Sequence, residues 1–313
     1  MEMDNITKAL HIRYLKLKLL LETSRKCIFP KHKVSAIRGG MGEILMQEHC
    51  IGDRVCDTCG FLKECMVQHI MYSKYDLIPF FASDGDSIGY VLECHNTEKS
   101  FQKGEQIKLN LLLFGDTIVY VREILNAIRK LGIYGVGNHY APYTVVSISD
   151  DEGTEFLENG QLEVSRITPS YVDTYVQERI TGFQEASKIK IAMNSPVTIK
   201  FHQEFLQKFD MEAMVRAIKR RIYMLDCYEG IEALEYYKEK TVTVPILYQE
   251  CYNKTVPRYS NRKKQKVFLR GLMGKIELDN PGLEVLMLLL AGELIHVGKN
   301  TSFGFGGYKL QTG

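Results

Sequence analysis

The sequence predicts an α+β chain of two tandem βαββαβ domains, with a small Cys-rich insertion in the first. Three observations carry this. Hydrophobic periodicity alternates between two and three-to-four in the same order in each half. Both halves close on an apolar helix, a Gly-containing turn and a strand, GIYGVGNHYAPYTVVSI in one and HVGKNTSFGFGGYKL in the other. An acid-rich stretch lies between them. With 313 residues, 45% of them hydrophobic, each half has enough apolar side chains for its own core.

The elements follow in order. LHIRYLKLKLLL, from Leu10 to Leu21, alternates charged and apolar residues as the first strand of a half-covered sheet. Lys33 to His49 places Val34, Ile37, Met41, Ile44, Leu45 and Met46, spaced mostly by three and four, on one helical face. After the insertion at 50–72, Ile88 to Glu93 and Gln106 to Phe114 read as strands, Thr117 to Leu131 as an amphipathic helix, and Tyr143 to Ile148 as the last strand. Asp150, Asp151, Glu152, Glu155 and Glu158 mark a solvated connection, so residues 1–149 form the first domain and 150–189 a linker. In the second domain, 190–313, strands are expected at Lys190 to Phe201, Thr241 to Glu250, Lys266 to Leu278 and Phe303 to Leu310. Its helices are expected at Met211 to Tyr228 and Leu283 to Leu294. The repetition reads as a diverged duplication of a ferredoxin-like unit.

The net charge is only +2, so affinity for a polyanion must come from local clustering. Arg258, Arg262, Lys263, Lys264, Lys266, Arg270 and Lys275 supply it, with Tyr259 and Phe268 interleaved and no acid among them. Gly298, Gly304, Gly306 and Gly307 follow between a helix and a strand, where backbone N–H groups can approach a phosphate; a tight turn explains them equally well. His296, Lys299, Thr301 and Ser302 bring an imidazole, an ammonium and two hydroxyls to the same loop. RNA carries its own nucleophile in the 2′-hydroxyl, so such groups need only move protons and neutralise the phosphorane.

Cys50, Cys56, Cys59 and Cys65 are spaced C-x5-C-x2-C-x5-C, which fits a structural zinc site of four thiolates; the alternative is that only Cys56 and Cys59 remain of a metal site, with His49 or His69 as substitute ligands. Eight cysteines in so long a chain favour reduced thiols and a cytoplasmic setting. The start lacks the features of a signal peptide, and the apolar run from Leu283 to Leu290 is too short for a membrane span. HExxH and GGDD-like sequences are absent, which argues against zinc hydrolases and nucleotidyl cyclases.

PRYSNRKKQKVFLRGLMGKIEL followed by GELIHVGKNTSFGFGGYKL, with AIRGGMGEIL and C-x2-C near the start, resembles the CRISPR-associated precursor-RNA processing endoribonucleases of the RAMP superfamily, in the branch with a Cys-rich insertion. The resemblance implies two ferredoxin-like domains and metal-independent cleavage of CRISPR repeat RNA, leaving a 2′,3′-cyclic phosphate. It also implies CRISPR effector or adaptation proteins as partners, and no membrane. It makes His296 the proton-transfer residue, with Lys299, Arg258 and Tyr259 at the catalytic centre and Arg262, Lys263, Lys264, Lys266, Arg270, Ser302, Gly304 and Gly306 on the RNA. Some members instead place the histidine on the first helix, where His32 or His49 would serve. A non-catalytic RNA-binding subunit of the same superfamily is the alternative.

Overall fold

The computed structural model describes residues 2–72, 88–230, 243–260 and 265–313. The first half comprises β1 (Arg13–Thr23), α1 (Lys33–His49), β2 (Tyr90–Glu93), β3 (Gln106–Phe114), α2 (Val121–Tyr134) and β4 (Tyr143–Ser149). Its antiparallel sheet has the order β2-β3-β1-β4. A connecting helix α3 (Val172–Ile180) leads to β5 (Lys188–Met193), α4 (Met211–Tyr228), β6 (Ile246–Ser260), β7 (Gln265–Asp279), α5 (Gly282–Ile295) and β8 (Tyr308–Thr312), whose sheet has the order β6-β7-β5-β8. Strand for strand the two orders are the same, and the chain is a pair of tandem ferredoxin-like domains.

The alternation in β1 sets the first core. Leu15, Leu17, Leu19 and Leu21 point to one face and are at most 4% exposed. Ile37, Met41, Ile44 and Leu45 of α1 and Ile124, Leu125, Ile128 and Leu131 of α2 cover that face. Each buried leucine contributes about 1.5–3 kcal/mol, and the pairing of Leu17 with Leu111 and Leu19 with Leu109 fixes the register.

The two halves share a second core. Val91, Leu112 and Phe114 of the first sheet belong to the cluster built by α4, α5 and the second sheet. The Arg221 guanidinium crosses this junction, donating to the carbonyls of Ile88 (2.8 Å) and Ile295 (3.3 Å).

Four expectations are corrected. Residues 150–189 are folded: Ser170 and Tyr171 pair with β1, and Val172, Val176 and Phe183 are buried in the shared core, so the acids describe only the first turns of this segment. The strand expected at 190–201 stops at Met193, where Asn194 and Ser195 both donate to Gly307 O and Pro196 follows. The closing strand begins only at Tyr308, because Thr301–Phe303 forms a helical turn and Gly304 and Gly306 are left-handed. The central hairpin is longer than periodicity indicates: β6 runs to Ser260, so Arg258 and Tyr259 are strand residues. Arg262, Lys263 and Lys264 lie outside the described residues.

Candidate nucleic-acid interface

The glycine-rich loop, residues 296–307, wedges between the halves. A Cβ on Gly304 would come within 2.7 Å of Leu92 O, and one on Gly306 within 2.2 Å of Val297 O. With φ of +79° and +81° as well, both positions require glycine. The N–H groups have protein partners: Gly304 donates to Thr301 O, Gly306 to Pro196 O and Gly307 to Ser195 Oγ. These glycines serve close packing, and the expectation that their amides hold a phosphate is corrected.

His296 is also reassigned. It is 2% exposed, its Nδ1 donates to Phe305 O at 2.7 Å, and its Nε2 meets Glu93 Oε1 of β2 at 2.8 Å. Burial pushes the Glu93 carboxyl up, but the hydrogen bond and charge of His296, helped by the Asn110 amide and the charge of His95, outweigh it and lower it to about 2. Nδ1 already gives its proton to a carbonyl, so Nε2 must also carry one to bond an ionised carboxylate. The pair is a buried ionic tie between the halves, and this imidazole has no nitrogen left for RNA.

An open cluster lies where the N-terminal half of α1 runs beside β6. His32 precedes the helix and is half-buried; burial first, then the charges of Lys254, Lys31 and Lys33, hold its imidazole below the ordinary histidine value. Further along, the Arg38 guanidinium lies 4.3 Å and the Arg258 guanidinium 4.5 Å from the Phe303 ring. Arg38 Nε donates to Ser302 Oγ at 3.3 Å and its Nη2 to Met71 O at 3.3 Å. Arg258 Nε is buried without a hydrogen-bond partner, and burial, then the charge of Arg38, pull its guanidinium below the ordinary value. Two cations from opposite halves thus meet at one aromatic ring. Contacts of about 0.5–2 kcal/mol with the ring offset part of their repulsion.

The other expected residues are distributed around this cluster. Ser302 is 4% exposed and reaches it only through Arg38. Tyr259, 58% exposed, pairs with Lys266 on the ribbon face opposite Arg258, so its phenol is outside the His32 cluster. Lys266 and Arg270 are exposed on that same outer face. Lys299 is half-buried, with its amide on Thr198 O. Arg38, Lys254 and Phe303 were not singled out from the sequence; a cation within the glycine-rich helix segment AIRGGMGEIL was the one signal for Arg38.

Cys50, Cys56, Cys59 and Cys65 are free and half-buried in the insertion. Burial, then the neighbouring thiols of Cys65, Cys50 and Cys59, raise the Cys56 thiol. The four therefore gather, yet among the described residues no three His, Cys, Asp or Glu side chains are arranged to hold a metal.

No helix among the described residues is long and apolar enough to cross a membrane.

Comparison with known proteins fits this picture. A family model described as an N-terminal domain matches residues 11–169, half of the chain, and the model of CRISPR-associated endoribonuclease Cas6 matches 191–308. An uncharacterized protein of Archaeoglobus fulgidus is 22% identical over 311 residues, covering 94% of this chain and 98% of its own. Among solved structures, a Cas6 product complex shares the fold with a TM-score of 0.54 at 11% identity, over 96% of this chain and 99% of that one. Thermus thermophilus Cas6 gives a TM-score of 0.50 at 10% identity, with 96% and 99% covered. A chain of a partial Cas6-RT-Cas1–Cas2 complex gives 0.57 at 12% identity; 96% of this chain is covered, but it spans only 46% of that longer one. Residues 191–308 thus form a domain of the CRISPR-associated endoribonuclease Cas6 family, joined to the matched N-terminal domain at 11–169 on a fold that solved Cas6 structures share along the whole length.

Proposed function

We propose that this chain cuts precursor CRISPR RNA within its repeats, without a metal, by attack of a 2′-hydroxyl on the adjacent phosphate. The observation that carries the reading is the convergence of Arg38 and Arg258, from opposite halves, on the Phe303 ring, on the same helix and strand that carry His32 at the N-cap and Lys254. Cations gathered with a buried, unpartnered Nε call for an anion, and the RNA backbone supplies a row of them. In this reading His32 takes the 2′-hydroxyl proton as the 2′-oxygen bonds to phosphorus, and its depressed proton affinity keeps it a neutral base near pH 7. Arg38, Arg258 and Lys254 stabilise the phosphorane. The P–O5′ bond then breaks, the 5′-oxygen leaves with a proton drawn from water, and a 2′,3′-cyclic phosphate remains. The exposed Lys266, Arg270 and Tyr259 on the outer face of the ribbon would follow flanking RNA. Lys299 is left as a backbone-phosphate contact.

Association with adaptation proteins, as in the Cas6-RT-Cas1–Cas2 assembly, and a structural zinc on the four insertion cysteines are further parts of the proposal. The zinc takes no part in the chemistry.

The test is to incubate the purified protein with repeat RNA, with and without EDTA, beside His32→Ala, Arg258→Ala and His296→Ala, and to map the RNA ends. Expected are EDTA-resistant cleavage to a cyclic phosphate and a His32→Ala protein that binds without cutting. Full cleavage by His32→Ala overturns the assignment of the base. Tight binding without cutting by the unaltered protein makes this a non-catalytic RNA-binding relative.

A further inference from the structure

We propose that Lys33 is a positioning residue for His32: its buried ammonium clamps the start of α1 to residues 96–98 and so fixes where the imidazole stands beside β6. This rests on the reading of His32 given above.

Lys33 is fully buried, with 0% exposure. Its Nζ donates to Asn96 O at 3.1 Å, Asn96 Oδ1 at 2.9 Å and Glu98 O at 2.6 Å, three acceptors for three protons. The Phe101 and Phe29 rings lie 5.2 and 6.0 Å from it. Among the described residues no carboxylate oxygen bonds it; its protons go to amide oxygens, and the Cys94 thiol and Glu98 carboxylate act on the charge only without a hydrogen bond. An ammonium removed from water in this way costs several kcal/mol, and a lysine is seldom fully buried without an ionic partner. Net stability is a poor reason for placing one here. What the arrangement achieves is geometric.

His32 stands at the N-cap of α1 with φ −105° and ψ +89°, and its side chain makes no capping hydrogen bond. The usual device that fixes the first turn of a helix is therefore missing. The chain is held on both sides of His32 instead. Upstream, Cys27 and Ile28 pair with Phe101 and Ser100, and Phe29 N donates to Lys99 O. Downstream, the Lys33 ammonium ties to residues 96–98. The imidazole thus sits within a short span clamped at each end to one neighbouring segment. Lys33, with Lys254 and Lys31, is also one of the positive charges that act on it.

The test compares Lys33→Met, Asn96→Ala and His32→Ala in single-turnover cleavage across pH, with RNA affinity and circular dichroism measured separately. For Lys33→Met, RNA affinity should stay near that of the unaltered protein while cleavage slows about tenfold or more, the usual scale of a misplaced catalytic group. The acid limb of its pH profile should move to higher pH, because a positive charge beside the imidazole has gone. Asn96→Ala, which removes one acceptor of three but keeps the charge, should slow cleavage by less and leave the acid limb in place. If His32→Ala is inactive while Lys33→Met keeps the rate and profile of the unaltered protein, the proposal is overturned. It is also overturned if Lys33→Met loses affinity and rate together with its acid limb unmoved, as a merely structural residue would. Full cleavage by His32→Ala overturns the reading of the base, and the role of Lys33 with it.

Discussion

Removing the imidazole of His296 tests the division between tie and catalyst most directly. The pair it forms with Glu93 is desolvated, with side-chain exposures of 2% and 13%. A carboxyl lowered from an ordinary 4.5 to about 2 stabilises the folded state by roughly 3 kcal/mol at neutral pH. Breaking a buried ion pair by deleting one partner costs about 3–5 kcal/mol, the same range by an independent route. His296→Ala should therefore lose about 3 kcal/mol in urea denaturation at pH 7. The pH dependence has a definite sign. Since the folded carboxyl is depressed, its contribution is complete above the unfolded value of 4.5 and disappears as pH falls towards about 2. The gap between His296→Ala and the unaltered protein should close over that window. Below the melting temperature of the variant, cleavage at saturating RNA should largely persist. A His296→Ala protein with unchanged stability and no cleavage would refute the argument and return the imidazole to the chemistry.

Arg258→Ala should weaken RNA binding and reduce the slope of log affinity against log salt by about one, as expected for one lost phosphate contact; an unchanged slope removes Arg258 from the RNA. Tyr259→Phe should cleave at the rate of the unaltered protein, because the phenol lies on the ribbon face away from Arg258; a large loss of rate with affinity intact would bring the hydroxyl back to the reaction. For the insertion, the proposed zinc predicts one metal per chain by elemental analysis and less in Cys56→Ser. Metal-free protein whose four thiols titrate freely rules it out. Saturating repeat RNA at about 100 times Kd should raise stability by roughly 2.7 kcal/mol, and less for Arg258→Ala at the same RNA concentration.

The duplicated architecture was legible because the leucines of β1 and the apolar face of α1 express the two periodicities cleanly, and the observed bounds of α1 and α4 are those expected. Residues 150–189 misled because five surface acids precede a helix whose buried contribution is only Val172 and Val176. The hairpin was shortened because its distal strands project beyond the sheet: β5 pairs with β7 only between Lys275 and Asp279. Exposed ribbon residues such as Tyr252, Tyr259 and Phe268 therefore break the alternation that marks a covered strand. At the site, Arg258 was legible from charge alone. His296 carried the expected chemistry by type, but a sequence does not display the carboxylate 203 residues away that occupies its Nε2. The aromatic ring that gathers Arg38 and Arg258 is likewise a product of docking.

That docking explains why the cluster lies at the junction. Arg38 belongs to α1 and Arg258 to β6, so the two guanidinium groups meet only because the halves are docked. Bringing the two together against Phe303 is unfavourable by itself, since burial and the charge of Arg38 already depress Arg258. The shared core of Val91, Leu112 and Phe114 with α4 and α5, the Arg221 crossing and the Glu93–His296 tie supply the opposing free energy. The fold thus holds two positive charges at one aromatic ring, where a bound anion would be favoured by both. Affinity for the RNA backbone and the fixed angle between the halves are, on this account, consequences of the same contacts, and a variant that loosens the tie should weaken RNA binding even though His296 and Glu93 never touch the RNA.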